Sequence, residues 1–488
     1  MTVTLGELAD RLGAEVIASD PTLARTLEVA DVTHVSSATA GPATMFVAVV
    51  GEESDGHDFV ADAAHRGAVA AITERVVHTT IPLLIVPSSR AAMGPAADLV
   101  HRSPSRRLTL VGVTGTNGKT TVVTLIGQLL ELLGQPAEVI GTLTGARTTP
   151  EATDLQRQLS GCADRGIEVV AMEVSSHALA LHRVDGSLFR VAVFTNLGRD
   201  HLDFHETQER YFQAKARLFE ADRAQLAVLN VDDVHGRLLR DVAMIPVVEY
   251  SVDALRDLQV GSADSRFTWR DHDVVVRLAG AFNVSNALAA AEVAVALGHP
   301  PASVAAALAD VTAPAGRLER VEASAGAGAS EAARPVVLVD YAHTPDALDA
   351  VLTSLRPMVG AEGRVLVVVG CGGDRDRSKR PDMARVAVSM SDLAWFTSDN
   401  PRSEDPATIM EAMLAGVLSD RRSSVGVDVD RRRAIFSAVA AARAGDVVLI
   451  AGKGHETTQT VGDRVTPFDD RQVAADALAA WTSREASE

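Results

Sequence analysis

The sequence predicts an α/β protein of three domains, with parallel sheets wound between helices. Three observations lead there. The chain has 488 residues, more than one core usually organises. Short apolar runs alternate with helical stretches, the pattern of strands buried on both faces. These runs fall into two separate groups, which predicts a central P-loop domain with a mostly parallel sheet at 106–317 and a Rossmann-like domain at 318–488. A smaller α/β domain is expected at 1–105.

The first block opens on a short amphipathic helix, with Leu5, Leu8 and Leu12 on one side. No basic segment followed by an apolar stretch precedes it, so no secretory signal is expected. The block ends in HRSPSRRL, which reads as a polar linker around Pro104. The second block starts with the strand LTLVGVT (108–114), turns through a Gly-rich loop and enters a helix. Val122, Leu125, Ile126, Leu129 and Leu133 keep helical spacing, and Gly134 marks the stop. The runs IEVVAMEV (167–174), VAVFTN (191–196) and LAVLNV (226–231) supply further strands. The third block carries PVVLVDY (335–341), RVLVVVG (364–370), LAWFTSDN (393–400) and DVVLIAG (446–452). Its small-residue stretch ASAGAGASEAARP (323–335) reads as a flexible surface loop.

Composition narrows the function. Hydrophobic residues make up 47% and charged ones 23%, as in soluble globular proteins. No apolar run approaches the roughly 20 residues of a membrane span. Only Cys162 and Cys371 occur, which suits a reducing cytoplasm. The net charge of −18 argues against nucleic acid or an anionic membrane surface as partner. Anionic substrates would then need buried, focused clusters of cations and backbone N–H groups.

The residues with the clearest chemistry sit directly after strands. Gly115, Thr116, Asn117, Gly118, Lys119, Thr120 and Thr121 lie between a strand and a helix, as in loops that cradle phosphate. Lys119 would reach the outer phosphates and Thr120 would ligate magnesium. The full pattern wants a glycine where this chain has Val113. Glu173 ends the next strand run, and Asn196-Leu-Gly-Arg-Asp-His201 follows another, so Glu173 and His201 are candidates to join Thr120 around Mg²⁺. Histidine is an unusual magnesium ligand, and composition alone would favour zinc or a structural role for His201. Lys215 lies on a helical pattern and, from the residues alone, reads as a solvated or snorkelling lysine. In the last block, Arg375 and Arg402 suit forked contacts to a carboxylate, and Asp399 and Glu456 suit an ammonium group. Capping and ion pairing in loops remain the competing reading for each.

The motifs TGTNGKTT (114–121), EVSSHAL (173–179), FTNLGRDHLDFH (194–205), YFQAKARLF (211–219), FNVSNALAA (282–290), GRLERV (316–321) and VDYAHTPDAL (339–348) together resemble the Mur ligases over nearly the whole chain. DNPR (399–402), GCGGDRDRSKRP (370–381) and GKGHE (452–456) are similar to the member that adds meso-diaminopimelate to UDP-N-acetylmuramoyl-L-alanyl-D-glutamate in peptidoglycan synthesis. The resemblance implies that ATP phosphorylates the D-glutamate γ-carboxylate and that an amine displaces the phosphate. It implies Mg²⁺ at Thr120, Glu173 and His201, and an N6-carboxylysine at Lys215 that helps hold a second Mg²⁺. It implies Ser37, Thr148, Thr149, Ser175 and Arg183 against the UDP-linked peptide. It implies Asn283, Arg317 and Asp340 at the nucleotide, with Tyr341 and His343 nearby. It implies Arg375, Asp399, Asn400, Pro401, Arg402, Gly452 and Glu456 around diaminopimelate. A cytoplasmic monomer is expected.

The chain departs from the family at Ser36-Ser37-Ala38, where Asp-Ser-Arg is usual, so uridine recognition is expected to differ in detail. Leu181 stands where some members have glutamine, and the stretch from Gly141 to Thr148 is short. Alternatives that remain are a Mur-type ligase for lysine or another amino acid, a folylpolyglutamate synthase-like relative, and a non-catalytic paralogue. The absent acid and arginine before 45–59 are the best support for the last.

Overall fold

The computed structural model describes residues 2–39, 41, 43–51, 54–198, 200–261, 264–322, 334–360 and 362–485. Two compact units emerge, Met1–Tyr250 with Glu292–Gly298, and Ser251–Ala291 with His299–Glu488. Nearly all of the stretch expected to be a small-residue loop, 323–335, lies outside the described residues.

In the first unit the opening helix Leu5–Leu12 forms as expected. Thr4 and Glu7 make a reciprocal capping box at its start, and Leu5 and Leu8 are fully buried. It packs on the helix Ser89–Val100 beside a five-stranded sheet. That sheet runs Glu15–Ile17, Leu83–Ile85, Ala70–Thr73, Thr44–Val47 and Asp31–Thr33, parallel except at its first strand.

The second sheet of this unit has six parallel strands in the order Val247–Tyr250, Ala227–Asn230, Val191–Phe194, Thr109–Thr114, Val169–Glu173 and Ala137–Ile140. The strand Thr109–Thr114 comes first in sequence and has later strands on both sides. Chain direction across the sheet therefore reverses at its carboxyl end, where α/β sheets open a crevice. The Gly-rich loop occupies that point. Val113 belongs to the strand, paired with Glu173 and Val193, so the loop is shorter than the usual phosphate loop.

Residues around Pro104 are not the open linker that their polarity suggests. Pro104–Arg106 forms one turn with Pro104 and Ser105 buried, and Leu188 N–H donates to Ser105 Oγ at 3.1 Å. Farther along the same seam Arg157 reaches Asp31 at 3.1 Å and the Val32 carbonyl at 3.0 Å. Thus the two sheets share one packed unit.

The second unit begins with an antiparallel meander, Arg256–Val260, Ser265–Trp269 and His272–Val276, whose polar alternation hid it in the sequence. Its main sheet orders Glu319–Arg320, Val336–Asp340, Val447–Ala451, Val365–Cys371, Leu393–Ser398 and Val425–Val427. Only the Glu319–Arg320 edge is antiparallel. Every residue of Val365–Cys371 is buried: Val365, Val367 and Val369 pack into one core, Leu366 and Val368 into the other. This two-sided burial is why such strands read as unbroken apolar runs. Among the described residues no helix is long and apolar enough to cross a membrane.

One ion pair is fully enclosed here. Arg431, first residue of the helix Arg431–Ala441, is forked onto Asp470 at 2.7 and 2.6 Å, and both side chains have no exposed surface. Arg431 also donates to the Ser398 and Ala451 carbonyls, so it clasps two strand ends. Asp470→Ala would leave a guanidinium buried without its counter-charge, at a cost of about 3–5 kcal/mol. Urea unfolding should show that loss; a midpoint equal to the parent's would contradict it.

Candidate functional site

The first cluster grows from the Gly-rich loop. Gly115 has φ 151°, and a Cβ there would lie 1.9 Å from Thr195 Oγ1, so only glycine fits. The neighbouring strand end holds the loop: Asn196 Oδ1 accepts from Asn117 N–H at 3.0 Å, and Thr195 Oγ1 donates to the Asn117 carbonyl at 2.6 Å. Gly118 caps the helix Lys119–Leu132 in the left-handed conformation. Lys119 Nζ folds back to the Gly115 and Thr116 carbonyls at 2.9 and 2.8 Å. A helix N-terminus, loop amides and a lysine thus meet at one point, which suits phosphate.

Glu173 organises the next shell. Although a carboxylate, it is almost wholly buried. Oε2 accepts from Thr120 Oγ1 at 3.0 Å, and Oε1 accepts from Thr142 N–H at 2.8 Å. Its backbone carbonyl accepts from Thr149 Oγ1 at 2.9 Å, and Thr149 Oγ1 accepts in turn from Ser175 N–H at 3.1 Å. Thr148 Oγ1 lies 3.1 Å from Thr142 Oγ1. One hydrogen-bonded chain therefore joins the phosphate loop to the predicted substrate residues Thr148, Thr149 and Ser175.

Arg183 completes this chain. It reaches the Thr149 carbonyl at 3.4 Å and Glu151 at 2.9 Å, while its Nε is buried without a hydrogen-bond partner. Burial and the nearby Arg147 and Arg90 hold its pKa below the usual arginine value, against the pull of Glu151. One more acceptor oxygen is what this guanidinium lacks, at Nε. Glu151, which also pairs with Arg147, escaped the sequence reading because TTPEA gave no sign that its acid faces inward. Ser37 lies exposed in the turn Ser36–Ala38, with no hydrogen bond to this chain of groups.

Lys215 is not the solvated lysine that its helix pattern suggests. On the helix Gln208–Ala216 it is 1% exposed, with Nζ 2.7 Å from the Gly115 carbonyl and 4.4 Å from the Tyr211 ring centre. Burial, then the positive charge of Lys119, drives its pKa well below the ordinary lysine value. As an amine Lys215 is no magnesium ligand. His201 is about half exposed and lies 3.3 Å from Asp200, edge-on to His177. No hydrogen bond joins it to Thr120, Glu173 or Lys215. Among the described residues no three His, Cys, Asp or Glu side chains converge on a metal position. The Thr120–Glu173 pair fits a hard cation by its oxygen donors.

The second unit holds its own cluster, again at strand carboxyl ends. Asp340 is buried and accepts from Leu318 and Ala342 N–H at 2.7 and 2.8 Å, and burial raises its pKa. The Arg317 guanidinium stacks over Tyr341 at 4.2 Å. Asn283 is buried between the Ala279 carbonyl and Asn286. His343 Nδ1 lies 2.9 Å from the Tyr341 carbonyl.

Gly372 has Arg402 and the stem of the exposed Arg375 beside it: a Cβ there would be 3.0 Å from Arg402 Nη1 and 3.8 Å from Arg375 Cγ. Arg402 sits at φ 52°, a costly backbone state for a side-chain-bearing residue, and Nη1 donates to the Gly373 carbonyl at 2.7 Å. Gly373 packs so tightly on the Pro401 carbonyl that a Cβ would lie 1.8 Å from it. Asp399, Asn400 and Glu456 form an adjoining group, with Asn400 Nδ2 donating to both acids at 3.2 and 2.8 Å. Gly452 N–H donates to the Asp340 carbonyl at 3.1 Å.

Three charged residues here were missed. Glu404 receives a forked contact from buried Arg380 at 2.8 and 3.1 Å and the Asp374 N–H at 2.7 Å, which locks DNPR to the Gly-rich segment. Lys453 lies fully buried between Glu456 and Asn400. In sequence each looks like an ordinary surface charge; only its position between motif residues hinted otherwise.

Comparison with known proteins gives two family matches, the Mur ligase middle domain over residues 113–294 and the Mur ligase glutamate ligase domain over 316–454. Proteins of Streptomyces avermitilis and Streptomyces coelicolor, both called UDP-N-acetylmuramoyl-L-alanyl-D-glutamate--2,6-diaminopimelate ligase, are 43% and 44% identical. Each alignment spans 97% of this chain and 96% of the relative. A solved structure of a ligase of that name matches with a TM-score of 0.68 at 32% identity, over 98% of this chain and 99% of the other.

Because burial and the charge of Lys119 disfavour the charged form of Lys215, Lys215→Met should leave thermal stability equal to the parent's or raise it. Gly115 would retain its bond from Lys119. A drop of several degrees in the melting midpoint would show that the amine is a structural donor instead.

Proposed function

The chain belongs to the Mur ligase family, and we propose that it is the ATP-dependent ligase that joins 2,6-diaminopimelate to the D-glutamate γ-carboxylate of UDP-N-acetylmuramoyl-L-alanyl-D-glutamate in peptidoglycan synthesis. The observation that carries the choice of amino acid is the placing of Arg375 and Arg402 around Gly372, in the same strand-end cluster as Asp399 and Glu456. The arginines suit a carboxylate and the acids an ammonium, the two charges at the far end of diaminopimelate. Lysine would leave the arginines without an anion. The proposed roles follow three segments: 1–105 for the UDP part, 106–317 for ATP, 318–488 for the amino acid.

The reaction needs two anions brought together and one carboxylate oxygen made a leaving group. The loop amides of 115–118 and Lys119 take the triphosphate, and its γ-phosphoryl group passes to the γ-carboxylate. Arg183, with its unsatisfied Nε, and the Thr149–Ser175 pair fix the peptide whose carboxylate attacks. A neutral amine of diaminopimelate then adds to the acyl carbon, and the tetrahedral adduct expels inorganic phosphate to leave the amide. Magnesium, when bound, neutralises phosphate charge; Thr120 and Glu173 would hold it, with His201 and a carbamylated Lys215 contributing to the metal set. The meso stereoisomer, a cytoplasmic location and action as a monomer without nucleic acid or membrane belong to the same proposal. The net charge and the two free cysteines support the location and the lack of nucleic-acid or anionic-membrane partners, and the likeness of the DNPR and GKGHE segments supports the meso stereoisomer.

The test is direct. Purified protein with ATP, Mg²⁺ and the UDP-linked dipeptide should release phosphate and form the tripeptide with diaminopimelate. With lysine the rate constant kcat/KM should be lower by roughly 100-fold or more. Turnover with lysine alone would overturn the acceptor, and no turnover with any amino acid would favour a non-catalytic paralogue. In the same assay Arg402→Lys should raise the KM for diaminopimelate roughly tenfold, since an ammonium cannot make the fork. An unchanged KM would remove Arg402 from that role.

A further inference from the structure

We infer that Lys453 is a positioning residue of the amino-acid pocket, whose buried ammonium fixes Asn400 and Glu456 in one arrangement and leaves the pocket's acid pair with charge for a single further ammonium. This rests on the acceptor reading above. Lys453 has no exposed surface, so it acts through its neighbours and never meets the substrate itself. Nζ donates to the Thr458 carbonyl at 2.6 Å, Glu456 Oε2 at 3.1 Å and Asn400 Oδ1 at 3.4 Å, and lies 3.9 Å from Asp399 Oδ1.

These contacts determine which way Asn400 points. Its amide oxygen accepts from Lys453 and from Thr460 N–H at 3.0 Å, so its nitrogen must face Asp399 and Glu456. A flipped amide would set donors against donors, so the lysine removes that alternative. The second consequence is one of charge. Asp399 and Glu456 are the pocket's two acids; burial raises the pKa of Asp399, and Arg431 and Lys453 act against that rise. Lys453 compensates one of the two acids and leaves the other for the substrate. The third is mechanical. Thr458 and Thr460 belong to the hairpin strand Thr458–Val461, and the Thr460 carbonyl accepts from Arg402 N–H at 3.0 Å. Lys453 therefore ties the acid half of the pocket to the arginine that would take the carboxylate.

The experiment varies each substrate in turn for the full-length parent, Lys453→Met and Lys453→Gln. The methionine variant should raise the KM for diaminopimelate roughly tenfold or more, while the KM for ATP and for the UDP-linked dipeptide stays within about twofold. The glutamine variant keeps a neutral N–H donor, one bond short of lysine and without the charge, and should show the same selective rise; it replaces methionine if that variant fails to fold. An unchanged KM for diaminopimelate, or equal losses for all three substrates, would overturn the inference and leave Lys453 a structural lysine. If the parent itself did not use diaminopimelate, the acceptor reading would fall, and this inference with it.

Discussion

A buried carboxylate is what the first cluster depends on. Glu173 ends a central strand paired in register with Val113, two residues before Gly115, so parallel pairing sets it beside the phosphate loop. A carboxylate in that position is tolerable only if its oxygens are satisfied. Thr120 and the Thr142 N–H satisfy them, and the Glu173 backbone carbonyl holds Thr149. One residue thus couples the start of the ATP-loop helix to the segment assigned to the peptide. Loss of its side chain would remove one of the two oxygen groups best suited to magnesium, and would free the other, Thr120, and the turn that carries Thr148.

The same logic resolves the acidic character of the chain. A protein with net charge −18 handles substrates that are themselves anions. Its broad field repels them, and the cations proposed to meet them are local: Arg183 with an unsatisfied Nε, and Lys119 on the loop. Low-dielectric surroundings make each of these charges stronger than its surface equivalent. Lys215 is the exception that fits the rule. Burial, with the positive charge of Lys119 beside it, disfavours its charged form.

Much of this was legible in the sequence for a physical reason. Parallel strands buried on both faces must be apolar throughout, so Thr109–Thr114, Val169–Glu173 and Val365–Cys371 stand out as runs. Candidate sites at strand carboxyl ends then follow from topology, which is how Glu173 and Asp399 were singled out, while Asp340 came from the resemblance. What stayed hidden was burial of charge. Lys215 lies on a polar helix, Arg431 opens an Arg-Arg-Arg run, and Lys453 sits between two glycines; nothing local shows that these cations face inward. The resemblance to the Mur ligases recovered Lys215, but only tertiary packing reveals Lys453, Glu404 and the Arg431–Asp470 pair. His201 shows the opposite limit: its motif was legible, while its side chain is not hydrogen-bonded to the Thr120–Glu173 pair.

The central claim is that the free energy of ATP is used to turn a carboxylate oxygen into a leaving group. It is tested most directly with the UDP-linked dipeptide labelled with ¹⁸O in the D-glutamate γ-carboxylate, with the released phosphate analysed by mass after a single turnover. The account predicts one ¹⁸O atom in each phosphate, because the oxygen that attacks the γ-phosphorus leaves with it when the amine adds. Phosphate free of ¹⁸O, formed together with labelled tripeptide, would contradict it.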